Sequence, residues 1–133
     1  MKSNFLKIMS ISILILIIDC NNSINAQTNK GLCSVEINDV SKAISFNYLL
    51  GYTVTFKNNT KKSVDGIYWK VYYYNNANEL IESDNSSFNA TNIIEPIAPG
   101  FTKTLARSPR VKGASVVIVK ITKVHFTDGT SCN

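Results

Sequence analysis

A chain of 133 residues with 44% apolar side chains and a formal charge of +5 has room for one core and no second domain. Its 14 basic residues are scattered, apart from Lys61-Lys62 and the group Arg107, Arg110, Lys112. That spread excludes the dense basic stripe of a nucleic-acid binder, and we read the charge as solubility.

The first segment in chain order reads as an export signal. Lys2 and Lys7 supply a positive start, and residues 8–18 form an almost unbroken apolar stretch. That stretch is shorter than the roughly 20 residues a bilayer span needs. Small and polar residues follow, and we place cleavage between Ala26 and Gln27, which leaves residues 27–133 as a single domain in the periplasm or outside the cell. The alternative is a lipid anchor on Cys20, against which stands the bulky, charged Asp19 just before it.

Removal of the signal takes Cys20 with it and leaves Cys33 and Cys132. An oxidising compartment favours pairing them, and the bridge would then tie the chain ends together. The alternative is two free thiols.

Strand patterns fill the remainder, and no segment has a convincing helical period. Residues 32–40 alternate, with Cys33, Val35 and Ile37 on one side. Residues 48–57 alternate more strongly, placing Tyr48, Leu50, Tyr52, Val54 and Phe56 together. Asn58-Asn59-Thr60-Lys61-Lys62 is a polar turn. In residues 63–74 the apolar set Ile67, Trp69, Val71 and Tyr73 faces one way, with Trp69 as core anchor, while Tyr68, Lys70, Tyr72 and Tyr74 share the other face. Asn75-Asn76-Ala77-Asn78 reads as a hairpin turn, because Asn tolerates positive φ and bonds its own backbone. Residues 80–88 return with weak patterning, 92–97 precede the turn pair Pro99-Gly100, and 102–106 follow. Residues 114–127 form a long β-branched run that ends at Asp128-Gly129. Short strands between Asn-, Pro- and Gly-containing turns predict an all-β, immunoglobulin-like antiparallel sandwich of about seven strands.

Several of these runs carry a family resemblance. Phe56-Lys57-Asn58-Asn59-Thr60, Ile67-Tyr68-Trp69-Lys70-Val71, Tyr74-Asn75 before Glu79-Leu80-Ile81, Ile97-Ala98-Pro99-Gly100 and the closing Val124-His125-Phe126-Thr127-Asp128-Gly129-Thr130 resemble FxLYD-type domains. In that pattern Val71-x-Tyr73-Tyr74-Asn75 stands for the apolar-x-apolar-Tyr-Asp string, and Asn78 for the turn glycine. The resemblance implies an immunoglobulin-like module of an exported protein, and the Asn-, Ile- and Lys-rich composition is similar to secreted proteins of Bacteroidetes. It brings no catalytic residue with it.

Residues suited to catalysis or metal binding are few in this chain. His125 is the single histidine, so most zinc sites and a Ser-His-Asp arrangement lack their parts. With Val124 facing inward, His125 faces out, as a surface or rim residue with Asp128 nearby in sequence. Glu79, Glu82, Asp84 and Glu95 are candidate carboxylates for glycoside hydrolysis, but a small sandwich has little room for the cleft. No cofactor and no metal is implied. The one feature with a functional flavour is the row Tyr68, Lys70, Tyr72, Tyr74, whose rings bring large contact area and a polar tip. It suits a protein interface or a carbohydrate-stacking platform; the plainer reading is sheet propensity alone. The expectation is an exported, non-enzymatic interaction module with a protein or glycan partner, a small hydrolase or inhibitor being a distant alternative.

Overall fold

The computed structural model describes residues 28–133. The export signal, with Ala26, Gln27 and Cys20, lies outside the described residues. Eight strands follow in order: β1 (Val35–Ser45), β2 (Tyr48–Asn58), β3 (Val64–Tyr74), β4 (Leu80–Asn89), β5 (Thr102–Arg107), β6 (Val111–Lys112), β7 (Val116–Phe126) and β8 (Ser131–Cys132). They form two antiparallel sheets, and no helix occurs among the described residues. One sheet runs β1-β2-β5, with β6 also on β2; the other runs β4-β3-β7-β8. In a constant-type immunoglobulin domain the fourth strand belongs with the first sheet. Here the Asn75–Asn78 hairpin keeps β4 beside β3. Asn75 Oδ1 accepts from the amides of Ala77 at 2.9 Å and Glu79 at 3.0 Å, and Asn78 takes φ 59°.

The two sheets bury their apolar faces against each other. Trp69 is 1% exposed and packs on Phe56 across the interface, ring centroids 5.0 Å apart. Val54, Ile67, Val71, Tyr73, Val119, Ile121 and Val124 complete the layer around it. Alternation in β3 survives from Ile67 to Tyr73 as the sequence indicates, while in β7 an extra residue at Thr122 inverts it, so that Val117, Val119 and Ile121 are buried before the bulge and Val124 and Phe126 after it.

The first strand keeps Val35 and Ile37 on the core side as expected, but its start and the first half of β2 depart from the pattern. Cys33 and Ser34 take φ of 50° and 61°, forming a tight turn between Leu32 and Val35, so the strand starts after that turn. A register shift between Ile37 and Asp39 then breaks the period of β1. In β2 only Tyr52, Val54 and Phe56 of the expected set are buried. A second shift, between Ala43 and Ile44, leaves Leu50 without a partner, so Leu49 turns inward while Tyr48 and Leu50 are exposed. Gly51 sits where a Cβ would lie 2.6 Å from the Arg107 carbonyl oxygen, so the β2–β5 approach excludes a side chain there. Residues 92–97 form no strand; only Ile97 bridges to Val64.

Asn58 is buried and fully bonded. Its Nδ2 donates to the carbonyls of Lys62 and Ile97, each at 2.8 Å. Its Oδ1 accepts from the Thr60 amide at 3.0 Å and hydroxyl at 2.6 Å. The polar turn is thereby pinned to the core. Cys33 and Cys132 form the disulfide, Cα–Cα 6.5 Å, and join the start of one sheet to the last strand of the other.

Candidate functional site

The outer face of β3 gathers the row that the sequence singles out. Directly across on β4 lie Ser87, Asn85 and Ser83, opposite Tyr68, Lys70 and Tyr72. Across on β7 lie Lys123, Lys120, Ile118 and Val116, opposite Tyr68, Lys70, Tyr72 and Tyr74. Directly opposed residues share a face, so this surface mixes three tyrosines with three lysines and carries no carboxylate among these positions. Tyr68 is 37% exposed; Lys70, Tyr72 and Tyr74 are half-buried. The rows pack on each other: Lys70 Nζ lies 5.4 Å from the Tyr72 ring centroid, and Lys123 Nζ lies 5.7 Å from that of Tyr68.

At the Tyr68 end the face opens into a cavity of about 270 Å3 lined by Asp65, Gly66, Tyr68, Asn89, Ala90 and His125. Its polar groups are held in place. The Tyr68 hydroxyl donates to Asn89 Oδ1 at 2.9 Å, and Asn89 Nδ2 donates to Ser87 Oγ at 3.2 Å. His125 Nδ1 lies 2.5 Å from Asp65 Oδ1. Gly66 forms the floor, where a Cβ would meet His125 Cβ at 3.2 Å. His125 is thus a rim residue, but its partner is Asp65 rather than Asp128. Asp128 belongs to Lys62, 2.8 Å away, and to Thr130; these hold its carboxyl well below the usual range. The Asp65–His125 contact follows from β3–β7 pairing, which sets Gly66 against His125, a relation invisible to sequence spacing.

A second polar hollow lies in the seam between β4 and β5, about 210 Å3, lined by Tyr52, Tyr73, Asp84, Ser86, Arg107, Ser108 and Pro109. Arg107, grouped in the sequence with solubilising charges, is instead a latch across this seam. Its Nε donates to Ser86 Oγ at 2.9 Å, one terminal nitrogen donates to the Ser87 carbonyl at 2.6 Å, and its guanidinium lies 5.3 Å from the Trp69 ring centroid. Behind it Trp69 Nε1 donates to the Tyr52 hydroxyl at 3.2 Å. Burial pushes the phenols of Tyr52 and Tyr73 up from their ordinary value; for Tyr73 the nearby Tyr52 and Asp84 add to the effect.

Of the other candidate carboxylates, only Glu82 and Asp84 come near each other, beside Tyr73. Glu79 is bonded by Asn75, Glu82 and Asp84 lie on β4, and Glu95 lies in the loop before β5. No cluster of three His, Cys, Asp or Glu side chains that could hold a metal occurs among the described residues. No helix among them is long and apolar enough to cross a membrane.

No family model matches the chain, and no curated protein does. Solved structures include likenesses, two of which are these. A DUF1425 family member from Shewanella sp. pv-4 is 13% identical, with TM-score 0.47 over 66% of this chain and 76% of that one. A hypothetical protein from Peptoclostridium difficile 630 is 10% identical, with TM-score 0.54 over 78% of this chain and 88% of its own. At that identity the second likeness is one of fold, and the chain shares a β-sandwich with it.

Proposed function

We propose that the protein is exported and acts as a non-enzymatic interaction module that docks its partner on the outer face of β4-β3-β7. The observation that carries this reading is the alignment of Tyr68, Tyr72 and Tyr74 with Lys70, Lys120 and Lys123 on one sheet face. Such a face offers ring area at low entropic cost together with positive charge, which suits a partner presenting acidic groups. The resemblance to FxLYD-type domains of exported proteins and the Cys33–Cys132 bridge agree with a role outside the cytoplasm.

A glycan is the second reading, favoured by the cavity beside Tyr68. An exposed ring flanked by Asn89, Asp65 and His125 resembles a stacking platform with fixed hydroxyl-bonding groups. One experiment addresses both. Binding of the purified protein to immobilised acidic and neutral polysaccharides and to envelope proteins should weaken roughly fivefold or more in Tyr68→Ala and in Tyr72→Ala. An acidic partner should also be released by salt. Wild-type binding in both variants would remove the face from consideration.

A further inference from the structure

At the end of the sandwich away from the disulfide, β1 and β2 are joined by Phe46 and Asn47, at φ 47° and 64°. Loops of this kind favour Asn, Asp or Gly, because both residues sit in the left-handed region. A bulky Phe there is a backbone outlier. The ring gains no packing in return, since Phe46 is 97% exposed. Packing within the domain therefore does not account for the residue.

Ile44 and Tyr48 flank the loop, 46% and 39% exposed. The Gly113 amide donates to the Asn47 carbonyl at 2.7 Å, and Ile81 Cδ1 would lie 3.7 Å from a Cβ at Gly113, which brings exposed Ile81 and Leu80 alongside. Basic groups collar this apolar tip. Lys112 pairs with Tyr48, Arg110 is exposed two residues before it, and Lys42 Nζ donates to the Ser115 carbonyl. The acids of this end are Glu79, bonded by Asn75, and Glu82. The tip joins exposed apolar side chains to basic ones, a combination that suits a soft anionic surface.

Chain direction supplies an independent argument. Lys30 pairs in parallel with Lys120, and the Val119 amide donates to Asn29 Oδ1 at 2.7 Å. Followed backwards, the chain therefore heads toward the start of β7, the end that carries Phe46. The residues that precede the described ones in sequence therefore join the domain at its Phe46 end. A lipid anchor on Cys20, the alternative to cleavage, would tether the domain at that end.

We propose that the Phe46 hairpin docks on an anionic lipid surface, with Phe46 in the interfacial region and Arg110, Lys112 and Lys42 at headgroup level. This inference is independent of the partner on the tyrosine face. The test uses the full chain carrying Phe46→Trp, because Trp69 is the only native tryptophan and is sealed in the core. Phosphatidylglycerol vesicles with brominated acyl chains should reduce the new emission roughly twofold or more, leave the wild-type emission unchanged, and act less strongly when phosphatidylcholine replaces phosphatidylglycerol. Phe46→Asn should melt no lower than wild type, since Asn suits positive φ. An unquenched signal, equal quenching in phosphatidylcholine, or a Phe46-dependent dimer in sedimentation without lipid would each overturn the proposal. So would a lower melting temperature in Phe46→Asn, because Phe46 would then serve the fold.

Discussion

Tyr73 shows how a single side chain can register the state of the seam between β4 and β5. Its phenol is held neutral first by burial, then by the proximity of Tyr52 and Asp84, which disfavour a phenolate. The folded value therefore lies above the unfolded value of about 10. A group raised in this way contributes its stability below the unfolded value, and the contribution is lost as pH climbs from there toward the folded one. Urea unfolding between about pH 8 and about pH 11 should accordingly show stability falling above about pH 10. In Tyr73→Phe the fall should be shallower, with the remainder belonging to Tyr52, whose phenol is raised by the same burial. An unchanged slope in the variant would detach the alkaline loss from Tyr73.

Strand β3 presents the sharpest contrast at the scale of an element, because its two faces do different work. Trp69→Ala removes a ring packed on Phe56 and under Arg107, and should cost about 3–5 kcal/mol or unfold the domain. Tyr72→Ala, on the outer face, should cost about 1 kcal/mol or less. Denaturant midpoints compare the two, and equal losses would mean that the outer face is covered and unfit for docking. This strand was legible in the sequence because its alternation runs unbroken from Ile67 to Tyr73. The faces beyond the bulges of β1, β2 and β7 were not, since each bulge adds one residue and inverts everything past it, as at Leu49 and Leu50. The candidate site divides in the same way. The Tyr-Lys row lies on one strand and follows from period two, whereas Asp65–His125 and Arg107–Ser86 join residues that only strand pairing and sheet stacking bring together.

For the whole molecule the decisive feature is that its two long seams are closed by different means. The β1–β8 side is closed covalently by Cys33–Cys132, a separation of 99 residues, and the β4–β5 side by the Arg107 latch. In the chain-entropy description a loop of that size is worth about 4–5 kcal/mol. Cys132→Ser should therefore lower the melting temperature by roughly 15 °C or more, and calorimetry of the wild type with reductant should show the same shift. A change of only a few degrees would mean that the sheets hold together without the bridge.

The same bridge also decides where mechanical load travels. Tension applied to the chain before Cys33 and after Cys132 passes from one cysteine straight to the other, through covalent bonds, and every strand from β1 to β7 lies inside the bypassed loop. Pulled from its ends, the domain keeps the loop between the cysteines free of load until a bond breaks, and only the short stretch ahead of Cys33 can peel from β7. Pulled through a partner seated on β3, it has no such protection, and the load falls on the hydrogen-bonded ladders of β3 with β4 and β7.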